Sequence, residues 1–307
     1  MNAFQSKQPN FFIVGAPKSA TTSLDYYLGQ HPEIFMSPKK ELHYFGNDLI
    51  SKKRTGAGYA LEHYLSFFEK VQDERIIGES SVLYLCSKSA PFEIKEFCPE
   101  AKIIIILRNP VDMMYALHSQ LLSQADEDIE DFEQALAAEN ERKEGRLIPR
   151  RVEVMDDGLI YREVANYLPQ VKRYFDCFGR ENVHVIIFED IKKNVAQVYC
   201  DTLKFLGAND IDFQPDFLVV NANKQVRSRL LQEWLRWPSR RMLVLAKLFF
   251  PRTLLLAAAS KLMKLNVSNI NRPPLGKELR IRLQGELSDN VRELGTLLNK
   301  DLSHWTN

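Results

Sequence analysis

Short apolar runs alternate along this chain with longer stretches of helical periodicity. The runs are Phe11–Val14, Arg75–Gly78, Lys102–Leu107 and Val183–Phe188, all rich in Ile, Val or Phe. Runs without polar alternation suit strands of a parallel sheet covered on both faces. Helical patterns lie between them, over Thr22–Gln30, Pro110–Gln124 and Tyr161–Phe178. This order predicts an α/β fold, a central parallel β-sheet flanked by helices, with right-handed crossovers. Near the end, Leu279, Leu283, Leu287, Val291, Leu294 and Leu298 recur every three or four residues. That spacing predicts an amphipathic helix within Lys277–Trp305, packed on the body.

Two stretches break the pattern. Between Asp126 and Asp157 Glu, Asp, Arg and Lys dominate, which reads as a solvated helix and a mobile surface excursion. Between Met242 and Met263 the chain is apolar but carries Lys247, Pro251 and Arg252. A membrane span needs about 20 residues with few or no charges, so a proline-broken helical pair near 240–264 fits better. Flanking Arg240, Arg241, Lys261 and Lys264 leave peripheral membrane contact open. We read 1–307 as one domain carrying these two insertions, long enough to bury about three quarters of its unfolded surface.

Charge and cysteines narrow the class. Lys plus Arg is 41 and Asp plus Glu is 40, so no global field draws in nucleic acid and any anion site is local. Cys86, Cys98, Cys177 and Cys200 form no Cys-x-x-Cys pair and no zinc-ligand spacing with His. Reduced thiols and a polar start, Met1–Asn10, without an apolar signal core point to a cytoplasmic protein.

The chemistry starts at the turn after the first run. Ligands in open α/β sheets bind at the carboxyl ends of strands, often at a helix start. Gly15 permits a tight turn there. Lys18 brings charge, and Ser19, Thr21, Thr22 and Ser23 bring hydroxyls beside backbone N–H groups, an anion cradle. It is no Walker A loop, which needs Gly immediately before the Lys, where Pro17 stands. Lys102–Leu107 ends in Arg108-Asn-Pro110 and not in a magnesium-holding acid. A cation there suits a second phosphate without a metal.

Pro17-Lys-Ser-Ala-Thr-Thr-Ser-Leu24 resembles the 5′-phosphosulfate loop of sulfotransferases that use 3′-phosphoadenosine 5′-phosphosulfate (PAPS), and Ile106-Leu-Arg-Asn-Pro-Val-Asp112 resembles their 3′-phosphate strand and helix. The resemblance continues through Gly78–Tyr84, Phe188–Asp190, Phe205–Gly207 and Val220–Lys224 in family order. It implies a P-loop NTPase-like sulfotransferase fold that binds PAPS and leaves PAP, with no metal required. Lys18 then neutralises the bridging oxygen as PAP departs. The segment Lys18, Ser19, Ala20, Thr21, Thr22 and Ser23 holds the 5′ phosphate, Arg108 the 3′ phosphate, and Asn221, Lys224 and Arg227 lie in the late loop over the nucleotide. The family serine that partners this arginine falls at Ala116 here, a loss of about 1.5–3 kcal/mol if that bond is made to a charged phosphate. His118 or Ser119 is the candidate replacement.

Ser37-Pro-Lys-Lys-Glu-Leu-His-Tyr-Phe45 carries a Lys-Glu-x-His-x-Phe pattern similar to that of carbohydrate sulfotransferases such as those acting on heparan sulfate. By that match Glu41 is the general base. His43, two residues on, has a suitable intrinsic pKa and is the second candidate. Glu79 reads as structural or acceptor-side, and Tyr161 as a cleft-lining residue or a helix-start aromatic. His31, His63, His184 and His304 read as cap, core or surface residues. The expected function is sulfuryl transfer from PAPS to a hydroxyl, or an amine, of a saccharide, glycolipid or related metabolite. A P-loop nucleotide kinase and a non-catalytic PAP/PAPS-binding protein are the alternatives. The sequence does not reveal the oligomeric state.

Overall fold

The run Ile103-Ile-Ile-Ile106 is apolar at every position because both faces of its strand are covered. In the computed structural model, which describes residues 7–49, 60–149, 156–218, 225–226, 261–262, 266–268 and 272–307, these residues are wholly buried. Ile103, Ile105 and Leu107 join one apolar cluster, and Ile104 and Ile106 join a second on the opposite face. Each fully buried side chain of this size contributes about 1.5–3 kcal/mol, so the two-sided run commits the strand to the sheet interior.

Five strands form the sheet: β1 (Phe11–Gly15), β2 (Ile34–Met36), β3 (Ile76–Ser80), β4 (Lys102–Leu107) and β5 (Val183–Ile187). They are all parallel, in the order β2-β3-β1-β4-β5. The chain runs outward from β1 to one side and from β4 to the other. The strand order therefore reverses between these two neighbours, and their carboxyl ends frame the crevice where α/β sheets bind ligands.

Helix α1 (Thr21–Leu28) follows β1, α2 (Ala90–Phe97) precedes β4, and α3 (Pro110–Gln124) follows it. Then come α4 (Tyr167–Phe178), α5 (Val195–Leu206) and α6 (Lys277–Leu298). In α6 Leu283, Leu287, Val291 and Leu294 form the buried stripe, and Asn299 in the left-handed region ends the helix. Among the described residues no helix is long and apolar enough to cross a membrane. The apolar stretch from 242 lies almost wholly outside the described residues.

Three expectations change. The expected helix over Tyr161–Phe178 is split into Tyr161–Val164 and α4. Pro169 lies in the first turn of α4, where its missing N–H is tolerated and from where it prevents continuation from the preceding segment. His31 is not a surface residue. It is buried, with Nε2 2.8 Å from the Asp210 carbonyl oxygen and Nδ1 accepting the Glu33 amide. The charged segment after Asp126 is not simply solvated. Its Glu127 and Arg142 side chains are 0% and 1% exposed and paired at 2.7 Å.

Candidate active site

The phosphate turn begins at a glycine for a steric reason. A Cβ on Gly15 would lie 2.6 Å from the Leu85 Cβ and 2.8 Å from the Val82 carbonyl oxygen. Beyond it Lys18 and Ala20 have φ of 59° and 67°. These left-handed residues turn the chain sharply into α1, which starts with no side-chain cap. The first N–H groups of a helix have no intrahelical acceptor, and with the dipole they present positive charge at this end. Ser19 is fully buried, its hydroxyl donated to the Pro17 carbonyl at 3.2 Å, while Thr21 and Ser23 are also buried.

Arg108 leaves the end of β4 beside this turn. Its guanidinium donates to the Lys18 carbonyl at 3.2 Å and packs over the Phe188 ring, 4.9 Å from the centroid. Asn109 caps α3 by accepting the amides of Val111 and Asp112 and donates to the Trp305 carbonyl. The two cations expected at phosphates are thus brought to adjoining strand ends.

Ala116 lies on α3, and neither proposed replacement for its missing hydroxyl is equal. His118 is fully buried, with Nε2 at the Ile129 carbonyl (2.9 Å) and Nδ1 at the Arg272 guanidinium (2.8 Å). Burial, with the Arg272 and Arg142 charges adding, pulls it down to about 4. It is a neutral core group committed elsewhere, so the suggestion of His118 is withdrawn. Ser119 is half-buried on the flank that faces Arg272 and Phe132.

The loop carrying Glu41 lies against the exit of β3. The Glu41 amide donates to the Ser80 carbonyl at 2.9 Å, and the Glu41 carboxylate accepts the Val82 amide at 3.0 Å. Lys40 Nζ and His43 Nε2 each lie 3.4 Å from that carboxylate, which is one-third exposed. Lys40 also donates to the Ser80 hydroxyl at 2.5 Å. Glu41 and His43 have φ of 57° and 50°. With Lys18 and Ala20 they make four of the seven left-handed non-glycine residues among those described. Such backbone costs of order 1–3 kcal/mol per residue and persists where surrounding contacts fix it.

Asp25 was not among the sequence candidates. One turn into α1, it faces the charges of Lys40 and Glu41. Burial raises its carboxyl to about 6, against the pull of Lys40 and with the push of Glu41. A signal existed in its place one helical turn after Thr21 and Thr22, which puts it on the face below the phosphate turn.

Glu79 and Tyr161 are both 0% exposed. Tyr161 donates its hydroxyl to Glu127 at 2.7 Å, within the Glu127–Arg142 cluster and away from solvent. Glu79 accepts the hydroxyls of Tyr64 (2.7 Å) and Ser81 (2.6 Å). Burial pushes its carboxyl up, and those hydroxyls with that of Tyr84 pull it down in part. Asn221, Lys224 and Arg227 lie outside the described residues.

The arrangement is two phosphate grips and a carboxylate on one rim of a parallel sheet. Residues 8–212 match the family model for the sulfotransferase domain. The chain belongs to the sulfotransferase family. Among solved structures, the sulfotransferase of Alicyclobacillus acidocaldarius superposes with a TM-score of 0.72 at 31% identity, covering 98% of this chain and 99% of that one. The sulfotransferase fold, P-loop-like with its central parallel sheet, is therefore this chain's fold. Among curated proteins, the membrane-associated sulfotransferase kil1 of Dictyostelium discoideum is 34% identical over 107 residues, 34% of this chain and 21% of that protein. Mouse carbohydrate sulfotransferase 15 is 23% identical over 70% of this sulfotransferase-family chain and 46% of its own length. Mouse bifunctional heparan sulfate N-deacetylase/N-sulfotransferase 3 is 27% identical over 73% of this chain and 25% of its own length. The chain spans less than half the length of these curated relatives.

Proposed function

We propose that this protein transfers the sulfuryl group of PAPS to a hydroxyl acceptor and releases PAP. The observation that carries the reading is the pairing of Lys18 and Arg108 at the ends of β1 and β4, joined by a bond of 3.2 Å. That places two phosphate-binding cations at a switch point, and the Glu41 carboxylate lies on the rim of β3, next to β1. Arg108 presents a planar fork suited to a phosphate. The N–H groups from Ser19 to Ser23 suit the 5′ phosphate.

In the proposed step the acceptor oxygen forms a bond to sulfur while the bond from sulfur to the bridging oxygen breaks. The acceptor proton passes to Glu41. The charge that develops on the bridging oxygen is met by Lys18, and PAP leaves with it. As in phosphoryl transfer, positioning and charge stabilisation do most of the work. His43, 3.4 Å from Glu41, steadies the carboxylate. The likeness to carbohydrate and heparan sulfate sulfotransferases, with the Lys-Glu-x-His-x-Phe pattern, favours a saccharide hydroxyl or glycolipid as acceptor.

The test pairs binding with turnover. Calorimetry with PAP in EDTA should show binding to wild type and to Glu41→Gln, and none to Lys18→Ala/Arg108→Ala. Labelled PAPS offered with a panel of glycans, glycolipids and phenols should label an acceptor. Glu41→Gln should lower that rate about 10²–10⁴-fold. Equal PAP binding by wild type and the double variant refutes the donor site. Magnesium-dependent transfer from ATP would make the protein a kinase, and tight PAP binding without any transfer a binding module.

A further inference from the structure

Glu79 is a carboxylate with no exposed surface, and among the described residues no cation forms an ion pair with it. Three hydroxyls surround it: Tyr64 at 2.7 Å, Ser81 at 2.6 Å, and Tyr84. Two of these do a second task. The Ser81 hydroxyl oxygen accepts the His43 amide at 3.2 Å, and the Tyr84 hydroxyl oxygen accepts the Phe45 amide at 3.2 Å. An ionised carboxylate only accepts, while a hydroxyl has one proton and two lone pairs. A hydroxyl that gives its proton to Glu79 must therefore turn a lone pair toward the loop. Glu79 sets the polarity of two parallel chains of hydrogen bonds, each ending on a backbone N–H of the segment that carries Glu41. That segment holds Glu41 and His43 in left-handed geometry, which is retained only where bonds of this kind fix it.

We propose that Glu79 is the positioning residue of the Glu41 loop, its carboxylate orienting the Ser81 and Tyr84 hydroxyls so that both accept the loop's amides and hold Glu41 at the site. The proposal rests on the reading of Glu41 as the base. Glu79 does not touch the acceptor, in contrast to the acceptor-side role open to it from sequence.

Glu79→Gln keeps the shape but brings an NH₂ that donates. One hydroxyl must then reverse and aim its proton at a loop N–H, breaking that chain. Amide hydrogen exchange on the intact protein reads this directly. Glu79→Gln should speed exchange at His43 or Phe45 at least 10-fold while Ile103–Ile105 stay as protected as in wild type. Ser81→Ala should free His43 alone and Tyr84→Phe should free Phe45 alone, which keeps the test usable should Glu79→Gln fail to fold. With an acceptor from the panel, kcat for Glu79→Gln and Ser81→Ala should fall about 10-fold or more, with KM for PAPS within twofold of wild type. Glu79→Gln with unchanged His43 and Phe45 protection, or a uniform loosening of the sheet, overturns the proposal. So do wild-type protection of both amides in the Ser81 and Tyr84 variants and an unchanged kcat in Ser81→Ala. The exchange readout needs no turnover, so a failure of Glu41→Gln to slow transfer sinks the base assignment separately.

Discussion

Arg142→Met isolates the most deeply buried charge pair among the described residues. Arg142 and Glu127 meet through two parallel bonds of 2.7 and 2.8 Å. Glu127 also accepts the Tyr161 hydroxyl at 2.7 Å and the Asp128 and Ile129 amides at 2.9 Å each. Methionine keeps most of the apolar stem and removes the guanidinium. Three donors remain on the carboxylate, but its countercharge is gone, which costs about 3–5 kcal/mol at a buried site. The Leu147 and Leu159 carbonyls, each 3.3 Å from Arg142, also lose a donor. We therefore place the loss near the top of that range at pH 7.

The same pair predicts how the loss varies with pH. Burial alone would raise Glu127, but Arg142, the Ile129 amide and Tyr161 hold it below its usual value of 4.5. In wild type the stability from this depressed carboxyl is present above that value and is lost as pH falls through the folded one. In Arg142→Met the unpaired carboxyl takes a proton readily, so the variant's penalty shrinks in acid. Urea unfolding at pH 7 and near pH 4.5, compared by midpoints at constant slope, should show the gap between the proteins narrowing by about half or more. A loss under about 1 kcal/mol at pH 7, below the buried-pair range, or an equal loss at both pH values, refutes the reasoning.

Two further outcomes are expected. Ala20→Gly relieves a left-handed alanine (φ 67°), a strain of about 1–2 kcal/mol offset by about 0.4–1 kcal/mol of unfolded-state entropy. The variant should unfold at higher urea and still bind PAP, and a lower midpoint would show that the turn depends on the alanine methyl. Asp25 holds its proton longer when folded, so it lowers stability as pH rises from 3.8 through about 6. Asp25→Asn should gain about 2 kcal/mol above pH 6, after discounting for partial exposure, and nothing below pH 4. A gain independent of pH would refute that account.

The strands that could be read from sequence are those whose burial is two-sided, above all Ile103–Ile106, because burial on both faces leaves a continuous apolar run. The three-residue edge strand β2 was missed, since Phe35 and Met36 are only partly buried and three residues carry no period. The Glu127–Arg142 pair was hidden because composition registers charges and not which of them fold inward across 15 positions. Lys18 and Arg108 drew notice because each ends a recognisable strand. Asp25, Lys40 and Ser81 did not, since they join the site from a helix face, a loop and a strand exit only after folding.

The meeting of β1 and β4 has a consequence for folding. The cation that ends β4 and the turn after β1 lie 90 positions apart in the chain, so neither half of the donor pocket exists until the sheet has closed. A ligand that needs both recognises the assembled sheet and not its parts. At 100 times its dissociation constant PAP should add about 2.7 kcal/mol to unfolding. The nucleotide then serves as a reporter of completed assembly, and starving the protein of it exposes the least stable seam of the fold, between β1 and β4.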